Sequence, residues 1–78
     1  MYTDKKMLEL IEILKTKKVI RYNKDFCEAI NLLPQNLIRI KNGEAHFTPE
    51  HIRLACVKYK VDANWVFGVE NDFLMKTQ

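Results

Sequence analysis

The sequence has little of what marks several large classes of protein. It contains only two glycines and two prolines, and none of its apolar runs approaches the ~18 residues that cross a membrane. The N-terminal residues are polar and lead into an amphipathic segment, so they do not predict a signal peptide. We therefore expect a cytoplasmic protein with no membrane partner.

Motifs that carry enzyme chemistry are also missing. There is no glycine-rich phosphate loop and no recognisable pairing of a nucleophile with a base, so the sequence predicts no enzyme. Cys27 and Cys56 fall at apolar positions and are expected to be buried, reduced thiols. A zinc site that joined them to His46 and His51 would need separate helices to converge, and no metal-ligand spacing is present. We expect no cofactor, metal or small-molecule ligand.

Charge is unevenly distributed along the chain. Residues 1–61 carry twelve Lys and Arg against seven Asp and Glu, whereas residues 62–78 carry one against three. Between Glu12 and Asp25 lies an acid-free run of five bases: Lys15, Lys17, Lys18, Arg21 and Lys24. We therefore expect a polyanionic partner to contact residues 1–61. A solvated basic face is the alternative explanation of the same run.

Apolar residues recur at spacings of three and four with little strand-like alternation, which predicts a compact all-α fold of five helices. We expect Asp4 to cap the first helix and Thr48 the fourth. Asn31 and Gly43 are expected to end the second and third helices. Trp65, Phe67 and Tyr59 are expected in the core. The expected spans are residues 4–16, 23–30, 34–43, 49–59 and 62–68.

These elements predict one helical domain over residues 1–68, followed by a weakly ordered tail over residues 69–78. The triplet Phe73-Leu74-Met75 is the only strongly apolar element of that tail.

Residues 23–43 have the pattern of two short helices joined by a tight turn, which is typical of a helix-turn-helix. Cys27 is a small residue at the expected helix crossing, and Leu32 follows the turn as an apolar plug. Leu37 and Ile40 are expected to anchor the second helix. Their burial turns the other side of that helix outward, with Pro34, Gln35, Ile38, Arg39 and Asn42.

The run from Phe26 to Gly43 resembles the helix-turn-helix of the lambdoid phage repressor/Cro (XRE-type) family. Thr48-Pro49-Glu50 and residues 61–67 are similar to the fourth and fifth helices of that family, so the resemblance covers roughly residues 7–68. It implies a lambda-repressor-like, five-helix DNA-binding domain that acts as a transcription regulator. Two positions depart from the family pattern: Leu33 stands where Ser or Thr usually caps the recognition helix, and Asn31 stands where Gly is frequent.

This resemblance assigns roles to the outward side chains. Gln35 is expected to pair with adenine, Arg39 with guanine, and Ile38 to contact a thymine methyl group. Ile38 packing on the first helix or on a partner, and simple solvation of the polar residues, are the alternatives. Pro34 belongs to the same DNA-facing side, and His46 is expected near the DNA backbone. The expected phosphate contacts are Asn23, Lys24, Asn36, Lys41 and Asn42.

One recognition helix reads only a few base pairs, so a homodimer on an operator-like site of double-stranded DNA is expected. The fifth helix and the tail are the candidate dimer contacts. The alternative function is that of a protein-binding module, such as an antitoxin or anti-regulator, with weak DNA affinity.

Overall fold

The computed structural model describes residues 2–68. Its five helices are α1 (Tyr2–Thr16), α2 (Asn23–Ala29), α3 (Pro34–Lys41), α4 (Pro49–Tyr59) and α5 (Ala63–Val66). Over this range the expected compact, all-α class is confirmed. The predicted tail over residues 69–78, with Phe73-Leu74-Met75, lies outside the described residues. Among the helices of residues 2–68, none combines the length and the apolar character that crossing a bilayer requires.

Asp4 does not cap α1, which corrects the expectation from the sequence. The helix begins at Tyr2, so Asp4 lies within its first turn and is only 6% exposed. Its carboxylate accepts a hydrogen bond from the Phe47 amide at 2.9 Å and lies 2.5 Å from Nδ1 of His46. Asp4 therefore joins α1 to the segment between α3 and α4.

The connection between α2 and α3 follows the pattern read from the sequence. Asn31 has a left-handed backbone with φ of 59°, and Leu32 is buried behind it. Pro34 is the first residue of α3, where its missing amide leaves no bond unmade. After Asn42 the chain turns through Gly43 at φ 79°, a conformation that glycine adopts without steric strain.

The helices enclose one core. α2 packs on α3 and α4, while α5 packs on α1 and α4. The rings of Phe26 and Tyr59 stack at 5.7 Å between centroids, which links α2 to α4. The largest fully buried side chains are Phe26, Met7, Leu10, Ile11, Ile30, Val61, Val66 and Cys27.

Phe67 is not a core residue, contrary to the expectation. It is 56% exposed, whereas Trp65 is buried and Tyr59 is half-buried. The physical reason is that α5 ends at Val66 and Phe67 is its C-cap, so the helical spacing that predicted burial does not extend to residue 67.

Reciprocal bonds fix the start of α4. The amide of His51 donates to Oγ1 of Thr48 at 3.2 Å, and Nδ1 of His51 accepts from the Thr48 amide at 3.1 Å. This is a capping box in which histidine occupies the position usually held by Glu or Gln. The expected Thr48 cap is confirmed.

Gly68 closes the described part of the chain against α1. Its φ is 86°, and a Cβ atom there would stand 2.9 Å from Cε2 of Tyr2. The first and last described residues are therefore neighbours, and position 68 has no room for a side chain while the ring stays in place.

Candidate nucleic-acid interface

The orientation of α3 is set by its two buried residues. Leu37 and Ile40 are 2% and 4% exposed, and their side chains anchor the helix to the core. The opposite side faces solvent, and Ile38 on that side is 59% exposed. The exposed side chains of α3 and its C-cap are Pro34, Gln35, Ile38, Arg39, Lys41 and Asn42, while Asn36 is half-buried. We call Gln35, Ile38 and Arg39 the reading strip; its predicted outward orientation is confirmed.

The charge on α3 is of one sign. The helix contains Arg39 and Lys41 in its last turn and no acidic residue. Within residues 2–68, neither of these side chains forms an ion pair. The face can therefore present positive charge and amide hydrogen-bonding groups to an anionic partner.

The start of α2 lies before this helix in the chain and carries two predicted phosphate contacts. Lys24 is exposed, whereas Asn23 is half-buried with its Oδ1 atom enclosed and without a hydrogen-bond partner among the described residues. The carboxylate of Asp25 accepts from the amides of Tyr22 at 2.9 Å and Arg21 at 3.1 Å. These two bonds are the main reason that the pKa of Asp25 is lowered from 3.8. These bonds were not predicted from the sequence, where Asp25 only marks the end of the acid-free run.

The acid-free run of bases forms part of a groove that the sequence analysis did not predict. A depression of about 630 Å³ is lined by Lys15, Lys18, Val19, Ile20, Arg21 and Asp25. It lies where α1 passes into the segment leading to α2, and Lys18 in that segment has a left-handed backbone with φ of 61°. Three bases and one acid thus share one surface near the start of α2.

The side chain of His46 contacts Asp4 as well as solvent. Its side chain remains 59% exposed, but its Nδ1 atom is committed to the Asp4 carboxylate. A contact between His46 and the DNA backbone would have to use the rest of the ring. The signal for this pairing is weak in the sequence, because the two residues are far apart in the chain.

The cysteines have the predicted character. Both are free and buried, and burial raises the pKa of each thiol above 9.0; the charge of Lys41 partly opposes this at Cys27. Over residues 2–68, no three His, Cys, Asp or Glu side chains gather in an arrangement that could hold a metal ion.

No protein-family model, characterised protein or solved structure that was compared with this chain matches it. The likeness to the repressor/Cro family therefore stays a prediction made from the residues.

Proposed function

We propose that this protein is a sequence-specific, double-stranded-DNA-binding regulator of the phage repressor/Cro type. In this proposal α2 and α3 form a helix-turn-helix, and α3 lies in the major groove. The observation that supports it most is the exposed reading strip on a helix that has basic but no acidic side chains. The buried pair Leu37 and Ile40 holds that strip in a fixed orientation, which specific recognition requires.

The base-reading roles follow from the chemistry of the side chains. Arg39 matches the O6 and N7 acceptors of guanine, and Gln35 matches the N6 and N7 edge of adenine. They stand four residues apart and therefore lie on one side of the helix, so both reach neighbouring base pairs together. Ile38 lies on the same side and offers an apolar contact to a thymine methyl group.

Phosphate contacts complete the proposed interface. Lys24, Lys41 and Asn42 are exposed, and the partly buried Asn23 and Asn36 are the remaining candidates. We extend this set to the basic groove lined by Lys15, Lys18 and Arg21, since DNA backbone contacts come mainly from such side chains.

A protein-binding role is the second candidate, and one observation favours it. Leu33 and Ile38, at the start and in the middle of the recognition segment, are 58% and 59% exposed. Two exposed apolar side chains in this region suit a protein partner, as in an antitoxin or anti-regulator. Arg39 and Lys41 beside them favour DNA.

The test compares two arginines of the same protein. A preferred duplex is first selected from a random pool, and its affinity is measured by fluorescence anisotropy for the natural protein and for Arg39→Ala. Loss of a bidentate guanine contact is expected to cost about 1–3 kcal/mol and to relax preference at that base pair. Arg53→Ala is the control, because Arg53 is also an exposed arginine but lies on α4 in an ion pair with Glu50.

The outcomes separate the two candidates. DNA reading predicts that Arg39→Ala weakens binding while Arg53→Ala leaves it unchanged. If no duplex is selected from the pool, the DNA-binding proposal is wrong and the protein-binding role is favoured. If both variants bind as the natural protein does, α3 is not the reading helix.

A further inference from the structure

An apolar groove of about 350 Å³ lies between α4 and α5, outside the reading strip. Val57 on α4 and Phe67 after α5 both line it and are 62% and 56% exposed. Ile52 and Cys56 are buried residues of the same lining. We call this depression the α4–α5 groove. Arg53 is the only charged residue of the lining, so an apolar side chain that enters the groove leaves water at little electrostatic cost.

The chain leaves the described residues at the edge of this groove. Phe67 lines the groove, and the next residue, Gly68, has a φ of 86° that ends the helical path of α5. Residues 69–78 follow outside the described part, and Phe73-Leu74-Met75 is their only strongly apolar element. The backbone from Gly68 to Phe73 spans at most about 18 Å when it is extended. The apolar triplet is therefore within reach of a groove that Phe67 itself lines.

The charges of this segment match the charge at the groove. Arg53 donates from Nε and Nη2 to the carboxylate of Glu50, at 2.5 and 2.9 Å, so Nη1 remains for a further acid. Glu70 and Asp72 precede the apolar triplet, and no base lies between Gly68 and the end of the triplet. Acids at the start of the segment can therefore meet the guanidinium at the rim while the triplet enters the groove.

The short helix α5 gives a physical reason for such a cover. Its four residues, Ala63–Val66, form a single turn, and so short a helix is not stable through its own hydrogen bonds. Trp65 and Val66 are buried and hold its inner side on the core. Apolar side chains seated in the α4–α5 groove would remove Val57 and Phe67 from water and hold the turn from its other side.

We propose that residues 69–78 form an intramolecular strap, which returns over the α4–α5 groove and packs Phe73-Leu74-Met75 against Val57 and Phe67. The same chain is the favoured occupant, because a short linker gives a segment an effective concentration on the order of millimolar at its site. The strap would close an apolar surface that otherwise attracts other proteins. It would leave the exposed face of α3, and Asn64 of α5, uncovered.

Nuclear Overhauser effects in the natural full chain, measured without DNA, test the proposal directly. The ring protons of Phe73 are expected to show effects to the methyl groups of Val57 and none to those of Val19. Val19 is the matched control, because it is the same residue type with 55% exposure but lines the basic groove.

Mixing isotope-labelled with unlabelled protein separates contacts within one copy from contacts between copies. Effects that occur only between copies would mean that a second molecule fills the groove, which overturns the strap. Effects from Phe73 to Tyr2, or to none of the described residues, would overturn it as well.

The reactivity of the two thiols gives a second test, because Cys56 lines the groove and Cys27 does not. Phe73→Glu and Leu74→Glu should each release the strap and make Cys56 react with iodoacetamide at least about threefold faster, with Cys27 unchanged. Thr77→Glu is the matched control, since it adds the same charge to the same segment outside the triplet.

Three results of the labelling would contradict the strap. The first is an equal rate at Cys56 in the natural protein and all three variants. The second is an increase in Thr77→Glu as large as in the triplet variants. The third is an equal increase at Cys27, which would mean that the substitutions open the core and not the groove.

Discussion

At the scale of single residues, Asp4 has the largest structural consequence that the sequence did not indicate. A carboxylate in the first turn of a helix is stabilised by the helix dipole, which is why the pattern suggested a local cap. The side chain is instead enclosed and binds the Phe47 amide and His46 more than forty positions away in the chain. A residue that pins two distant segments is more sensitive to substitution than a surface cap.

Asp4→Ala is therefore expected to lower the free energy of unfolding by about 1–3 kcal/mol, because the buried Phe47 amide is left without an acceptor. Urea denaturation followed by Trp65 fluorescence measures the change. Glu12→Ala on the same helix is the control: Glu12 is exposed, 3.7 Å from Lys15, and should matter by no more than about 0.5 kcal/mol. Equal effects of the two substitutions would show that the Asp4 bonds contribute little.

At the scale of elements, local chemistry predicted some boundaries well and others poorly. The start of α3 at Pro34 and the turn through Gly43 depend on the backbone preferences of those residues alone, so the sequence was sufficient. The exposure of Phe67 and the depression between α4 and α5 depend on where α5 stops and on how it meets α4. The spacing of apolar residues encodes neither the end of so short a helix nor the way in which it packs on its neighbour.

The reading strip and its surroundings likewise include one feature that the sequence predicted and others that it did not. Its outward orientation followed from the three-residue spacing of Leu37 and Ile40 and is confirmed. The bonds that Asp25 accepts at the start of α2 are local, and an acid in the first turn of that helix was the signal for them. The meeting of Lys15, Lys18 and Arg21 in one groove needed the three-dimensional path of the chain. The sequence thus predicted the face of one helix better than the surface that surrounds it.

The capping box of α4 leads to a pH-dependent stability. Nδ1 of His51 accepts a hydrogen bond from the Thr48 amide, which only the neutral ring can do. Burial lowers the pKa of His51 below 6.5, although the charge of Glu50 partly opposes this. A lowered pKa in the folded state means that this contribution is complete above pH 6.5 and is lost as the pH falls through the folded pKa.

His51→Gln is expected to remove this dependence, because glutamine keeps an acceptor at the same capping position and does not titrate. The free energy of unfolding of both proteins is compared at about pH 7.5 and about pH 5. The natural protein should lose more stability on acidification than the variant does. Asp25 and Glu50, with pKa values lowered from 3.8 and 4.5, titrate below that window. An identical loss in both proteins would exclude His51 as the source.

At the scale of the whole molecule, the proposed function divides the surface into parts with different partners. The reading strip and the basic groove would meet DNA, while the fifth helix is the candidate contact for a second copy. Under the proposed function, a two-fold dimer would read half-sites about 34–36 Å apart. Because the net charge is only +3, the proposed affinity for DNA would depend on the local arrangement of the bases and not on the overall charge.

The salt dependence of DNA binding tests which basic residues contact DNA phosphates. The logarithm of the DNA association constant should fall with the logarithm of salt concentration by about 0.9 for each phosphate contacted. Lys41→Ala should make the slope shallower by about that amount and weaken selected and unselected duplexes alike. Lys5→Ala is the control, since Lys5 is exposed on α1 and lies outside both the reading strip and the basic groove. If Lys41→Ala leaves the slope unchanged, Lys41 does not contact a DNA phosphate.

Because Tyr2 packs against Gly68, the helices could be connected in an order different from that of the natural chain. Because the two ends of the described part touch, a short linker could join them, and the chain could be opened instead in the segment between α1 and α2. α2 and α3 would then come first in a circularly permuted protein with every packing contact retained. A permuted protein as stable as the natural one would show that the stability of residues 2–68 depends on which helices are neighbours in space, and not on their order along the chain.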